Sequence, residues 1–393
     1  MDRPLLKPKP RRYTVLPLAQ PFLPIEPGMS LSMYLPSETE SMGPHPLRVR
    51  VANVIGETVK AFDRKPFRPY PLLKGGHAQT IAAFLWPRPY RFQSPVDEAR
   101  LFEVEPGVNV LAYCRWQHDR RLHPTVVLWH GIEGSTASVY MIATADKAFR
   151  AGFNVVRVNF RNCGGSEHLT PTLYHGGLSS DLRAVITALI EEEKLKDIFP
   201  IGFSLGGNIV LKLAAEYGDA PPDEVVAVCA VSPSVNLRAS ADLICEKSNW
   251  IYHRDFVRRL RRRIITKQRL YPALYDAKRI SLVRTIRDFD EYFTAAHHGF
   301  SSANDYYQKS SSIHVIDKIH LPTLIIHARD DPFIPFAALR DSALEANPHI
   351  LLVAPEHGGH VAFIAAQTNG DEDRFWAENR AVQFCNLVRE MKT

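Results

Sequence analysis

The stretch from Phe199 to Gly218, FPIGFSLGGNIVLKLAAEYG, joins an apolar run to an amphipathic helical pattern. At the junction, residues 202–206 read Gly-Phe-Ser-Leu-Gly, a Gly-x-Ser-x-Gly pentapeptide. A strand that turns this sharply into a helix forces its central residue to a positive φ, and glycines two positions away avoid collisions with neighbouring elements. The turn would expose the Ser204 hydroxyl at the carboxyl edge of a sheet, so the stretch predicts that Ser204 is a nucleophile.

The rest of the chain alternates short apolar runs with helical patterns. Six of these runs lack the polar alternation of half-exposed strands, which is typical of a parallel sheet buried on both faces. The six runs are TVVLWH (125–130), FNVVRVNF (153–160), DIFPIGF (197–203), EVVAVCAVSP (224–233), TLIIHA (323–328) and ILLVAP (350–355). Helical patterns occupy 138–152, 178–193 and the segment from Asn208, and residues 101–116 resemble an antiparallel hairpin. The predicted fold class is therefore α/β, with a mostly parallel central sheet and helices on both faces.

Composition divides the 393 residues into an arm and one large domain. Ten of the 29 prolines fall within residues 1–46, where hydrophobic periodicity is absent, so this segment is predicted to be extended or disordered. Residues 47–393 are predicted to form a single α/β domain. Within it, residues from about 236 to 312 are charged, aromatic and helical without a strand pattern. They are predicted to form a helical cap inserted between two strands.

Several classes of protein are disfavoured by composition. The net charge of +6 is too small for this length to indicate a nucleic-acid partner. Five scattered cysteines without a C-x-x-C spacing predict a reducing compartment, with the cytoplasm as the default. No run of 18 uncharged apolar residues predicts a membrane span, and the amino terminus lacks the apolar core of a signal peptide. No motif calls for a metal, nucleotide or flavin, so no cofactor is predicted.

A serine hydroxyl needs a base and an acid partner to act as a nucleophile, and in this type of fold they follow in the order serine, acid, histidine. The segment IIHARDDPFIP (325–335) supplies two adjacent carboxylates in the loop after a strand. The small residue Ala328 favours Asp331 as the acid. Asp330 remains the alternative, as a residue that caps the turn or faces solvent.

The base is predicted in PEHGGHVAF (355–363), after the last strand. His357 and His360 both lie in this loop. Two glycines let the loop fold back towards the serine, and Val361 and Phe363 are predicted to begin the packing of the final helix. Both features favour His360, with His357 as the alternative.

An oxyanion that forms during acyl transfer requires hydrogen-bond donors. The backbone N–H of Leu205, directly after the nucleophile, is one candidate. The loop HGIEGS (130–135), after the strand TVVLWH, supplies the other, for which Ile132 is the predicted donor. The alternative is that this loop is only a turn.

Together these segments resemble the YheT-type subfamily of α/β hydrolases, over roughly Pro69 to Leu387. The resemblance rests on LKGGHAQTI (73–81), HGIEGS, VNFRNCGGSE (158–167), GFSLGGN (202–208), HARDDPFIP (327–335) and GGHVAF (358–363). It implies an α/β-hydrolase fold, esterase or lipase-like activity on acyl esters, and roles for Ser204 as nucleophile, Asp331 as acid and His360 as base. Where the subfamily pattern NFRGCGGS has glycine, this chain has Asn162, a residue type that accepts left-handed backbone conformations.

The predicted function is hydrolysis of short- to medium-chain acyl esters through an acyl-enzyme, with a small-molecule or lipid ester as substrate. An acyltransferase that passes the acyl group to an alcohol, and a lipase acting on acylglycerols or phospholipids, are the alternatives. A non-catalytic binding module is disfavoured because every expected site residue is present. The oligomeric state is left open.

The basic, aromatic segment 255–293 of the cap has two interpretations. It is either a solvated cover packed over the sheet or a basic amphipathic surface that makes peripheral contact with a membrane or with anionic substrates.

Overall fold

Eight strands form one sheet in the part of the chain that the computed structural model describes, residues 46–88, 97–368 and 370–392. The strands are β1 (Glu98–Glu105), β2 (Val108–Arg115), β3 (Thr125–Trp129), β4 (Asn154–Val158), β5 (Ile198–Phe203), β6 (Val228–Val231), β7 (Thr323–Ile326) and β8 (Ile350–Val353). Their order in the sheet is β1-β2-β4-β3-β5-β6-β7-β8. The β1–β2 hairpin and the β2–β4 pair are antiparallel, and all later pairs are parallel.

Helices cover both faces of this sheet. Those longer than six residues in the described ranges are α1 (Pro46–Asp63), α2 (Gly76–Leu85), α3 (Val139–Arg150), α4 (Ser179–Glu191), α5 (Leu205–Tyr217), α6 (Leu237–Ile244), α7 (Trp250–Leu270), α10 (Ala303–Ser310) and α12 (Trp376–Glu390). The shorter ones are α8 (Ile286–Phe289), α9 (Ala296–His298) and α11 (Ser342–Ala346). The predicted arm, residues 1–46, lies outside the described residues apart from Pro46, where α1 begins.

The central strands are buried on both faces because alternate side chains enter two different cores. In β3, Val127 and Trp129 pack in the core that contains side chains of α4 and α5. Val126 and Leu128, between them, pack in a second core with side chains of α1, α3 and α12. This arrangement confirms the predicted α/β class with a mostly parallel sheet and explains the uninterrupted apolar runs.

Helix α5 begins directly after the nucleophile candidate, three residues before the predicted start at Asn208. A Cβ added to Gly206 would overlap the carbonyl oxygens of Trp129 and His130. Glycine therefore lets the first turn of α5 pack against the end of β3. The helical pattern was masked in the sequence because both Gly206 and Gly207 lie in that turn.

The final helix, α12, begins at Trp376, after Val361 and Phe363, and Phe363 lies in the same core as the side chains of α12, as the predicted packing requires. Val361 has a φ of 55° and Phe363 a φ of 46°, and neither value fits a right-handed helix. The intervening chain instead forms single bridges, Ile364 with Phe375 and Ala365 with Pro69. Both side chains are still apolar anchors: Phe363 is fully buried in the core below the loop.

Helices occupy the insertion between β6 and β7. Side chains of α6, α7, α8 and a short π-helix (Asp290–Ala295) form a third core that includes Leu260, Ile264 and Phe293, whereas the buried apolar side chains of α10 belong to the first core. No strand occurs between β6 and β7, a segment the structure describes throughout. Across the described ranges, no helix combines the length and the apolar character needed to cross a bilayer.

Candidate active site

Four loops meet at the carboxyl edge of the parallel strands. They follow β3, β5, β7 and β8, and they carry the predicted oxyanion loop, serine, acid and histidine in that order. Parallel strands deliver their following loops to one edge of the sheet, where ligands of open α/β sheets bind. In this way the fold brings together candidate site residues that lie far apart in the sequence.

Ser204 occupies the sharp turn between β5 and α5 with φ 54° and ψ −117°. A Cβ on Gly202 would overlap the backbone of Gly206, so the turn can close only around glycine. The Ser204 N–H donates to the carbonyl oxygen of Val231, which ties the strained turn to β6. The side chain remains slightly accessible, at 7% relative exposure, among otherwise buried neighbours.

The loop after β3 lies directly against the serine. A Cβ added to Gly131 would lie 2.9 Å from Ser204 Cβ and 3.4 Å from Ser204 Oγ. No described residue accepts a hydrogen bond from the Ile132 N–H, and Leu205 is the first residue of α5, whose initial amides have no acceptor within the helix. Both predicted donors therefore have amides free to bind an oxyanion near Ser204.

His130 holds this loop in shape. Its Nε2 accepts a hydrogen bond from the Phe160 N–H at 3.0 Å, and its Nδ1 lies 2.7 Å from the Gly131 carbonyl oxygen. Burial lowers the pKa of His130 to about 3, so the ring is neutral and Nδ1 donates. Sequence reasoning missed this role of His130 in shaping the loop.

The Asp331–His360 pair lies beside the serine. Asp331 Oδ2 is 2.8 Å from His360 Nδ1, and Asp331 Oδ1 accepts from the N–H groups of Phe333 and Ile334 at 2.8 and 3.1 Å. Burial tends to raise the pKa of Asp331, but the contact with His360 and the backbone donors outweigh it, and the net shift is downward. Asp331 is thus held as an anion that can orient the imidazole.

The alternative acid, Asp330, and the alternative base, His357, form a second pair. His357 Nδ1 lies 3.1 Å from Asp330 Oδ2, and Asp330 Oδ1 accepts from the Gly359 N–H. Burial raises the pKa of Asp330 despite these bonds, in contrast to Asp331. His360 lines the same cavity as Ser204, whereas His357 does not. No hydrogen bond joins Ser204 Oγ to His360 in the described part of the chain.

Helix α2 supports the histidine loop, a role that sequence reasoning missed. Thr80 Oγ1 accepts from the His360 N–H at 2.9 Å, and the Gln79 amide bonds both backbone groups of Ile364. A Cβ on Gly76 would overlap the carbonyl oxygen of Asp330. The signal was the segment LKGGHAQTI, which carried the family resemblance without an assigned role.

The cap is tied to the loop after β3 by an ion pair that the sequence did not indicate. Arg263 of α7 donates to both carboxylate oxygens of Glu133, at 2.8 and 3.1 Å, and to the Asn162 carbonyl oxygen. The Glu133 backbone has a φ of 54°. Asn162 has a φ of 65°, the left-handed conformation expected where the subfamily pattern has glycine.

Ser204 lies between two cavities. The larger, about 420 Å³, opens between α2 and the start of α7 and is also lined by His360, Phe84 and Tyr252. The smaller, about 70 Å³, extends under the cap and is mostly apolar, with Leu237, Ile286 and Phe289 among its lining residues. A bound ester could therefore extend in two directions from the serine.

Comparisons with known proteins agree with this geometry. Residues 124–367 match the family model described as the alpha/beta hydrolase fold. The chain is 32% identical over 322 residues to YheT of Escherichia coli (strain K12), whose name assigns it provisionally to the esterases; the match covers 81% of this chain and 92% of that one.

Two further likenesses are more distant. A monoacylglycerol lipase of Saccharomyces cerevisiae is 29% identical over 279 residues, which is 68% of this chain and 60% of that one. A puromycin hydrolase of known structure matches with a TM-score of 0.50 and 17% identity, over 76% of this chain and 39% of the other. At that identity, the structural likeness concerns the fold alone.

Proposed function

The chain belongs to the α/β-hydrolase family, and from that membership we propose that it is a carboxylic ester hydrolase with Ser204 as nucleophile, His360 as base and Asp331 as the orienting acid. One observation carries the proposal: Ser204, in a strained turn, and His360, bonded to the buried anion of Asp331, line a single cavity. A nucleophile, a base and an orienting acid in this order are the requirements for acyl transfer.

The reaction proceeds in two halves. His360 Nε2 takes the proton of Ser204 as Oγ attacks the ester carbonyl, and the N–H groups of Leu205 and Ile132 bind the oxyanion. The alcohol leaves with the proton from His360, and the acyl group stays on Ser204. Water, deprotonated by His360, then releases the carboxylic acid and restores the serine.

The two cavities suggest which part of the ester goes where. The small apolar pocket under the cap suits a short to medium acyl chain, because it is lined mainly by apolar side chains, including those of α6, α7 and α8. The wider cavity that contains His360 suits the alcohol part, since the base must reach the leaving oxygen. The substrate class that follows is an acyl ester whose alcohol part is larger than its acyl part.

The test is hydrolysis of p-nitrophenyl esters with acyl chains of two to sixteen carbons by the purified protein. A folded Ser204→Ala variant is the control. Turnover by the wild type alone, with an optimum at short or medium chains, is expected. If neither protein turns over any ester while both are folded, the hydrolase proposal fails.

The same assay addresses the acyltransferase alternative. With ethanol added, a hydrolase releases mainly free acid, and a transferase releases mainly the ethyl ester. Both reactions pass through Ser204, so product identity distinguishes them where the variant cannot.

Cytoplasmic location also stays a prediction, supported by five cysteines without a disulfide.

A further inference from the structure

We propose that the rim of the larger cavity docks on an anionic lipid surface, so that ester substrates enter Ser204's cavity from the membrane plane. This inference rests on the proposed function for its purpose, but the docking itself requires no catalysis. It is carried by three observations: an apolar rim, a basic helix face that continues from it, and the position of both at the cavity mouth.

Large apolar side chains are exposed on both sides of that mouth. Phe84 of α2 and Ile251 of α7 line the cavity and are nevertheless 72% and 60% exposed. Their sequence neighbours Leu85 and Trp250 are 79% and 58% exposed. His77 of α2 stacks on Tyr252 of α7, with ring centroids 5.7 Å apart, so the amino-terminal ends of the two helices are adjacent.

Such a cluster is uncommon on a monomer unless it binds something. Five of the twelve exposed large apolar residues in the described chain lie on α2 or at the start of α7: Ile81, Phe84, Leu85, Trp250 and Ile251. Single exposed apolar side chains scattered over the surface would need no explanation. A group of them around the entrance of the proposed ester-binding cavity needs one.

The face of α7 that starts at Trp250 continues with cations. Arg254, Arg258 and Arg261 follow it at helical spacing, with Arg262 beside them, and all four are exposed. The whole helix carries eight Lys and Arg residues against one acid, Asp255. Within the described residues, Arg254, Arg261 and Arg262 form no salt bridge. An apolar end joined to a cationic face suits an anionic membrane surface.

Inward-facing cations of the same helix are used differently. Arg263 pairs with Glu133, and Lys267 donates to the carbonyl oxygens of Glu167 and Thr170. Both are buried or nearly so. The basic cluster therefore divides by helical face, and the exposed half remains for an external anion. This division favours the amphipathic interpretation of the cap over that of a uniformly solvated cover.

The test is co-sedimentation of the full chain with vesicles of phosphatidylcholine alone and of phosphatidylcholine with 30% phosphatidylserine. We expect the wild type to sediment with the anionic vesicles and to be released by added salt. Leu85→Glu/Trp250→Glu and Arg261→Gln/Arg262→Gln should each reduce the partition coefficient about tenfold or more.

Matched controls lie on elements other than α2 and α7. Leu122, 81% exposed before β3, and Leu101, 51% exposed on β1, give Leu101→Glu/Leu122→Glu as the apolar control. Lys196 and Lys318, exposed shortly before β5 and β7, give Lys196→Gln/Lys318→Gln as the charge control. Both control proteins should bind as the wild type does.

Two results would overturn the docking proposal: a wild type that stays in the supernatant with both vesicle types, or rim variants that sediment as well as the controls. The second would assign binding to another part of the chain or to another partner. Vesicle binding by Ser204→Ala, and hydrolysis of a soluble p-nitrophenyl ester by the rim variants, separate this proposal from the catalytic one. Each can fail while the other holds.

Discussion

Ser204 is held in a conformation that a non-glycine residue adopts at a cost of about 1 to 3 kcal/mol. Its φ of 54° persists because Gly202 and Gly206 permit the tight contact below it and because Val231 accepts its N–H. A simple turn would not need this strain. The cost is consistent with a requirement to expose the hydroxyl beside the Gly131 backbone.

Substitution of His360 and of His357 in turn distinguishes the proposed base from its alternative. His360→Ala should lower kcat for a soluble ester by about 10,000-fold or more, because it removes the proposed base for the serine proton. His357→Ala should change kcat by less than about tenfold, because His357 is 43% exposed and lies outside the cavity lining. Steady-state kinetics of the two variants measures the difference. Equal losses would contradict the assignment of His360.

Thr80 is predicted to be a positioning residue for His360. Thr80→Val removes the acceptor for the His360 N–H and should lower kcat about tenfold at nearly constant KM. Thr58→Val is the matched control, because both buried hydroxyls donate to the carbonyl oxygen four residues earlier in their helix, at 2.7 Å. Both variants should lose about 1 kcal/mol of stability. A fall in kcat for both variants alike would show that the effect is only structural.

At the scale of elements, the cap helix and the loop after β3 are coupled through Arg263 and Glu133. Arg263→Met leaves a buried carboxylate unpaired, which typically costs about 3 to 5 kcal/mol in stability. The loop beside Ser204 should shift, and kcat should fall about tenfold, below the loss expected for deleting an oxyanion donor. Arg263→Lys should restore part of the activity.

The matched control for this prediction is Arg258→Met, which removes an exposed arginine of the same helix. A double-mutant cycle with Glu133→Gln measures the coupling, because the double variant removes both partners of the pair. Additive losses in kcat would contradict a coupling between the cap and the loop.

The sequence predicted elements well where local chemistry determines them. Strand runs, the hairpin of residues 101–116 and the elbow around Ser204 were readable because each needs particular residue types in adjacent positions. The backbone conformation after β8 could not be predicted from the sequence. The positive φ values of Val361 and Phe363 arise from tertiary contacts that have no local signature. The Thr80–His360 and Arg263–Glu133 contacts were also unpredictable, because each joins residues more than a hundred positions apart.

At the scale of the whole molecule, Asp290 links stability to pH. It is buried at the start of the π-helix and accepts hydrogen bonds from Thr294 and Tyr307, both at 2.7 Å. Burial raises the pKa of Asp290 to about 6 despite those bonds. The folded protein therefore retains a proton that the unfolded chain releases at about pH 4, and stability is lost as the pH rises through this interval.

The amide side chain introduced by Asp290→Asn cannot ionise. This variant should therefore not lose stability as the pH rises through this interval. Between pH 4 and 7, the free energy of unfolding of the wild type should fall by about 2 kcal/mol relative to that of the variant. Urea unfolding across this range measures it, with the exposed Asp317→Asn as control. Parallel pH profiles for the wild type and Asp290→Asn would contradict the prediction.

The central claim, that Ser204 is the nucleophile, is tested most directly by covalent trapping with a fluorophosphonate. Ser204 Oγ would bond to phosphorus as fluoride leaves and His360 takes the proton. We expect mass spectrometry to find one phosphonyl group per chain, on the peptide that contains Ser204, and none on folded Ser204→Ala. A folded wild type that stays unlabelled, or that carries the label on another residue, would contradict the account.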